Sequence, residues 1–327
     1  MTPITLHIGM NKTGTSALQR FMHRNRRPLA RAGLIYPETG LGTRTEGAGL
    51  HYRLSRSFLD DRPEASEMVE RLLDEIDRSG AERAIVSSEF LVELKDVAPL
   101  ATAFANRSVE VLVYLRRHDH WVASAFAQAV KTTPHPPWKP DVDAFIVHLR
   151  NRCGHYYRYG DLLGRWAEAF GPDRLRVRVY GPGGATDIVA DVLGRFGLDR
   201  AAIPKLRPED SARVNIAPSR RQLAAIDHVQ RAPMPAPDKA LLVRRLLSVE
   251  DQGRTRRLMT AATARALLDE NAEDYAEIAR HYLGRADGVL FDEPPPEPGG
   301  PDRIALWPGE AITLMTELLA ETMRLDA

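Results

Sequence analysis

Residues 9–19 read GMNKTGTSALQ, and what this stretch becomes decides how the rest of the chain is laid out. Just before it, ITLHIGM (4–10) is a short apolar run of the kind that makes a buried strand. Just after it, TSALQRFMHRNRRPLARAG spaces Leu18, Phe21, Met22 and Leu29 to share one helical face, with Gly33 as its stop. The stretch is therefore the turn between a strand and a helix.

Such a turn is a place to hold an anion. Gly14 lets the backbone curl closely, the N–H groups of Thr13 to Ala17 line the space, Thr15 and Ser16 add hydroxyls, and Lys12 adds a compact positive charge. The same residues also suit an ordinary strand-to-helix turn capped by Thr13 or Thr15. In the nucleotide-binding P-loop, G-x-x-x-x-G-K-[ST], the lysine follows the second glycine; here Lys12 stands two residues before Gly14.

Working outward, GLIYPETG (33–40) reads as a second short strand ending in a turn. A Gly- and Arg-rich segment leads into SEMVERLLDEIDRSG, where Met68, Val69, Leu72, Leu73 and Ile76 are helically spaced. Strands are expected within AERAIVSSEFLVEL (81–94) and SVEVLVYLRRHD (108–119), with HWVASAFAQAVK as the helix after the latter. YGDLLGRWAEAFG, DRLRVRVYG and TDIVADVLGRFGL repeat the pattern as helix, strand and helix. Near-continuous apolar strands alternating with helices predict a parallel sheet covered on both faces, a three-layer α/β/α sandwich. From about residue 205 the chain is mostly helical, and DEPPPEPGGPD (292–302) is a linker or surface loop. The expectation is a single domain, with an α/β core over 1–204 and a helical extension over 205–327.

The bulk numbers narrow the function. A length of 327 residues with 43% hydrophobic content suits a large folded unit. A formal charge of +1 gives no overall pull toward nucleic acid or an anionic membrane, so anion binding must come from local clusters. Cys153 is the only cysteine, which excludes an intrachain disulfide and a cysteine-based zinc site and points to a reducing compartment. No run approaches the ~18 apolar residues of a membrane span. The expectation is a soluble cytoplasmic protein with no metal and no nucleic-acid partner.

A second element bears on the anion. After VEVLVYL, Arg116 is followed eight residues later by Ser124 in LRRHDHWVAS. If Arg116 ends the strand and Ser124 lies two turns into the next helix, both can converge on one phosphate, the arginine as a bidentate fork. The alternative is a solvated Arg116–Arg117 pair and a small serine on a packed helix face.

GMNKTGTSALQ followed by YLRRHDHWVASAF resembles the sulfotransferases that use 3′-phosphoadenosine 5′-phosphosulfate (PAPS). The resemblance covers roughly residues 4–130, and SSE (87–89) and LIYPETG are similar to the family's bacterial branch. It implies the P-loop-like sandwich fold, PAPS as cofactor, 3′,5′-ADP as product and no metal. In it, [PN]-K-[TS]-G-[TS]-[TS] grips the 5′-phosphosulfate, which here assigns Asn11, Lys12, Thr13, Gly14, Thr15 and Ser16; a downstream R-x7-S binds the 3′-phosphate, which assigns Arg116 and Ser124. Asn11 stands where proline is common. The R-K-G segment that closes over the cofactor in drug- and steroid-modifying members is absent, and DSARVNIAPSRRQL (210–223) is expected in its place, with Arg213 as a cofactor contact. That absence favours the glycan-modifying branch, with a hydroxyl-bearing acceptor, possibly a carbohydrate, and less readily an amine.

Sulfuryl transfer is expected to run in line through a loose transition state, with Lys12 beside the charge that grows on the leaving phosphate. Three candidates stand open as general base. Glu89 closes the strand before Arg116's strand, Glu38 ends LIYPE, and His51 in GLHYRLS has an ordinary pKa near ~6.5 suited to neutral pH. Two other classes remain: an ATP-dependent small-molecule kinase, which needs a G-K-[ST] ending and a magnesium-binding acid, and a non-catalytic nucleotide-binding module.

Overall fold

The computed structural model describes residues 1–43, 49–203, 206, 218–249, 257–301 and 304–325, with the backbone alone over 317–325. Five strands form one all-parallel sheet: β1 (Ile4–His7), β2 (Leu34–Ile35), β3 (Arg83–Ser87), β4 (Val109–Leu115) and β5 (Leu175–Val179), in the order β2-β3-β1-β4-β5. The sandwich expected from the alternating pattern is the observed fold. β1 lies between β3 and β4, with Leu6 opposite Val86 on one side and Val111 on the other. Connections leave β1 toward one edge and return past it to the other, which makes its carboxyl end the topological switch point, where ligands bind in open α/β sheets.

The chain divides into two compact units. The first comprises 1–117, 153–211 and 271–293, and it contains the sheet. On one sheet face, Ile85, Leu112 and Tyr114 pack with Leu18, Phe21 and Met22 of α1 (Thr15–Arg24) and with Ile188, Val189 and Val192 of α9 (Ile188–Arg195). Leu18 and Met22 are fully buried, and removing a side chain of that size from water contributes about 1.5–3 kcal/mol. α9 is pinned to the sheet by polar contacts as well. Tyr114 Oη donates to Asp191 Oδ2 at 2.6 Å, the Arg178 Nε–H donates to the same oxygen at 3.1 Å, and Asp187 caps the helix by accepting from the Val189 and Ala190 N–H groups. Further helices of this unit are α2 (Arg26–Arg31), α3 (Tyr52–Leu59), α4 (Ala65–Arg78), α5 (Ala98–Ala103), α8 (Tyr159–Phe170) and α13 (Ala272–Leu283).

The second unit, 118–152, 212–270 and 294–327, has helices as its regular elements among the described residues. It contains α6 (His118–Thr132), the first part of α7 (Val142–Tyr157), α10 (Arg220–Arg231), α11 (Ala236–Ser248), α12 (Ala261–Glu270) and α14 (Pro308–Leu325). α10 is its centre: it opens with a Ser219–Gln222 capping box, packs against α6, α11 and α14, and buries most of its length. α7 leaves helical geometry at Cys153, where the first unit resumes.

Three elements differ from the sequence reading. The single helix expected after the loop is two, parted at Asn25, whose Nδ2–H donates back to the Phe21 carbonyl. The Gly- and Arg-rich stretch contains α3, whose buried side chains are Leu54, Ser55 and Ser57; serines on the inner face hide the apolar spacing. The long helical stretch after 255 breaks at Asn271, between α12 and α13. Trp121, Trp138 and Trp166 are all core residues.

Candidate anion-binding site

The loop between β1 and α1 sits at the switch point. Gly14 has φ +80° and is the N-cap residue of α1, and Lys12 holds φ +66°, a conformation that side chains with a Cβ rarely adopt. Two left-handed residues with Thr13 between them turn the backbone sharply, and the first turn of α1 opens toward the carboxyl ends of the strands. Thr13 is buried and donates its hydroxyl to the Met10 carbonyl, so it closes the loop internally. Ser16 is exposed, and Asn11 and Lys12 are half-buried.

The space behind the loop is tight. A Cβ on Gly14 would lie 3.1 Å from Ile188 Cγ2 and 3.2 Å from Tyr180 Cε2, and one on Gly9 would lie 3.0 Å from Glu89 Cα. The network that holds α9 against the sheet thus also sets one wall of the loop, through Ile188. Tyr180, the residue after β5, is a part of the site that the sequence reading missed; the available signal was its place between the strand LRVRV and the turn GPGG.

Arg116, the residue after β4, donates from Nη1 to the Lys12 carbonyl at 2.8 Å, and its guanidinium lies 5.8 Å from the Tyr180 ring centroid. Tyr159 Oη donates to the Arg116 carbonyl at 2.6 Å. The arginine read as a phosphate fork is therefore tied to the backbone of the very lysine that carries the loop's charge. Its neighbour Arg117 is buried instead, donating to the Glu293 carbonyl at 2.8 Å.

Glu89 lies two residues beyond β3. Thr15 Oγ1 donates to its Oε2 at 2.6 Å, and Thr15 is the carboxylate's hydrogen-bond partner among the described residues. Glu38 is placed elsewhere: its side chain is 73% exposed and pairs with Arg26 at 2.9 Å. His51, the N-cap residue of α3, is fully buried, its ring edge-on to Tyr36 at 4.7 Å, and the Ser87 N–H donates to its Nδ1 at 3.1 Å. Burial pushes its pKa down to about 4, so it does not keep the ordinary histidine value that recommended it. Ser124 is half-buried on α6 in the second unit, and Arg213 lies outside the described residues. The structure thus brings together Lys12, Thr15, Glu89 and Arg116 and places Glu38 apart.

Among the described residues, no helix is long and apolar enough to cross a membrane, and no group of three or more His, Cys, Asp or Glu could hold a metal ion.

The fold and loop define the class: a parallel α/β protein whose switch point is a glycine-bearing strand-to-helix loop flanked by Lys12, Arg116 and Glu89. No family model matches the chain. An uncharacterised protein from Archaeoglobus fulgidus is 29% identical over 121 residues, which span 35% of this chain and 30% of that relative's length. Among solved structures, a sulfotransferase from Alicyclobacillus acidocaldarius is similar with a TM-score of 0.40 and 17% identity, over 75% of this chain and 96% of its own. A mouse sulfotransferase complexed with PAP is similar with a TM-score of 0.40 and 15% identity, over 88% of this chain and 86% of its own.

Proposed function

We propose that the protein is a PAPS-dependent sulfotransferase that moves a sulfuryl group to a hydroxyl, of a carbohydrate or other small metabolite, in a reducing, cytoplasmic setting. The observation that carries the reading is the conformation of the loop. Lys12 is held left-handed two residues before a left-handed Gly14, with its carbonyl clamped by Arg116, so the residue that carries the charge precedes the second glycine instead of following it.

The loop's own features fit a 5′-phosphate ligand: a glycine where a Cβ would strike Ile188 and Tyr180, helix N–H groups, and a half-buried cation. When bound, PAPS supplies an activated sulfuryl group whose leaving group is a phosphate. Lys12 and the N–H groups of Thr13 to Ala17 stabilise the charge that grows on that leaving group more than the ground state. Arg116 keeps Lys12 in place, and by the sequence pattern Arg116 and Ser124 are assigned the 3′-phosphate. Glu89 takes the proton of the acceptor hydroxyl. Its carboxylate is oriented by the Thr15 hydroxyl and is the one of the three candidates that touches the loop, whereas Glu38 faces solvent and His51 is sealed off from it.

One observation favours a second reading. A carboxylate bonded to the loop's hydroxyl residue is also what a magnesium-dependent phosphotransferase uses to hold its ion. Transfer of labelled sulfate from PAPS to a panel of glycans and phenols, with and without EDTA, separates the two: metal-independent sulfate transfer supports the proposal, and magnesium-dependent phosphate transfer from ATP replaces it.

A further inference from the structure

The second unit contains a cleft of about 450 Å³ between the ends of α6 and α10 and one face of α11. Lys239, Val243 and Leu247 follow each other at intervals of four on that face, with Arg244 beside them. Across from them are Lys131, at the end of α6, and Gln230, at the end of α10. Among the described residues, the lining thus holds three cationic side chains and no acidic one.

None of these cations meets a carboxylate within the described residues. Lys239 is buried at 2% exposure, and its Nζ donates to the Gln230 carbonyl at 2.6 Å and meets His135 Nε2 at 3.1 Å. Lys131 is half-buried and Arg244 exposed, and neither has an ion-pair partner among the described residues. Burial depresses the pKa of Lys131, with no carboxylate opposing it. Gln230 Oε1 is itself buried, with no hydrogen-bond partner among the described residues. On the other wall Val243 is buried, and Leu247 is 41% exposed. A concentration of positive charge beside an apolar wall, in a cavity of small-molecule size, is complementary to one kind of ligand.

We infer that this cleft binds a small organic anion, with a sulfate or carboxylate head held by Lys131, Lys239 and Arg244 and an apolar body laid against Val243 and Leu247. The site lies wholly within the second unit and uses none of the residues assigned to PAPS, so it stands or falls apart from the sulfotransferase proposal.

The test uses hexyl sulfate as probe, with inorganic sulfate and hexanol as its two halves, titrated calorimetrically into the full-length protein. Hexyl sulfate is expected to bind saturably, at least tenfold more tightly than either half. Affinity is expected to fall at least tenfold in the Lys131→Gln/Arg244→Gln double variant and to hold in Lys12→Ala, which disables the phosphate loop. In the unmutated protein, hexyl sulfate is also expected to shield Lys131 from trinitrobenzenesulfonate in peptide-mapped labelling, a readout that does not depend on how the double variant folds. Absence of saturable binding, equal binding of hexanol, unchanged affinity in a folded double variant, or loss of binding in Lys12→Ala with Lys131 left unshielded would each overturn the inference.

Discussion

The hydroxyl of Thr15 donates to Glu89 Oε2 across 2.6 Å, joining the first residue of α1 to the segment just beyond β3. Residues 74 positions apart meet because β1 and β3 run parallel and end side by side, with His7 opposite Ser87. Glu89→Gln keeps the shape and a hydrogen bond to Thr15 but removes the proposed base. It is expected to lower kcat for sulfuryl transfer by about 10²–10⁴ with little change in cofactor affinity. Glu38→Gln, on an exposed side chain, is expected to leave kcat within about twofold; the opposite ranking in steady-state kinetics would move the base to Glu38.

The loop glycine Gly14 differs from an isolated one. Gly14→Ala places a Cβ at φ +80° and against both Ile188 and Tyr180, while Gly80→Ala, at φ +64°, meets nothing within 4 Å. Both carry left-handed strain of about 1–3 kcal/mol. Only Gly14→Ala is expected to abolish 3′,5′-ADP binding as well, since the loop itself must move. Urea unfolding gives the first quantity and calorimetry the second; nucleotide binding that survives Gly14→Ala would remove the loop from the site.

Arg116 and Lys12 are expected to act as one unit. Because Arg116 Nη1 holds the Lys12 carbonyl at 2.8 Å, removing the arginine also loosens the lysine. Lys12→Ala should depress turnover, and Arg116→Ala should weaken cofactor binding and depress turnover together. The effects of the two substitutions on kcat/KM should then be non-additive by about 0.5–3 kcal/mol. An additive double-mutant cycle would mean that Arg116 serves the ligand alone.

Acid stability follows from two buried histidines. Burial pushes His7 down to about 3 and His51 down to about 4, whereas the unfolded chain protonates both near the ordinary 6.5. Below pH 6.5 the unfolded state therefore binds protons that the folded state refuses. Stability contributed by the neutral rings is present above 6.5 and lost as pH falls, by about 1.4 kcal/mol per pH unit for each ring, until the folded-state values are reached. Urea midpoints measured from pH 7 to 4.5 should show this decline, and His51→Gln should reduce its slope by about one proton. An unchanged slope would mean that His51 is not neutral and buried in the folded protein.

How much of this was readable in advance depends on the range of the interaction. β4 was readable residue by residue because VEVLVYL is buried on both faces and needs no alternation. The loop was readable because Gly14 and Lys12 sit where a strand pattern stops and a helix pattern starts. The bond between Thr15 and Glu89 was not, since it depends on which strands become neighbours. Nor was the burial of His51, which comes from Tyr36 and the end of β3 closing around it. α3 escaped because its buried serines bond back to the helix backbone, Ser55 donating to the Tyr52 carbonyl and Ser57 to that of Leu54, while Ser55 also meets Ser88. The bond from Arg116 to the Lys12 carbonyl was unreadable for the same reason as that between Thr15 and Glu89, since it joins residues 104 positions apart.

Lys12, Gly14 and Arg116 are proposed to form a site for a nucleotide with phosphates on both the 5′ and 3′ positions. Calorimetric titration of 3′,5′-ADP, 5′-AMP and ATP into the same preparation tests it most directly. 3′,5′-ADP is expected to bind at least tenfold more tightly than 5′-AMP and ATP, and Arg116→Ala to erase the difference. Equal affinity for 3′,5′-ADP and 5′-AMP, or a magnesium-dependent preference for ATP, would contradict it.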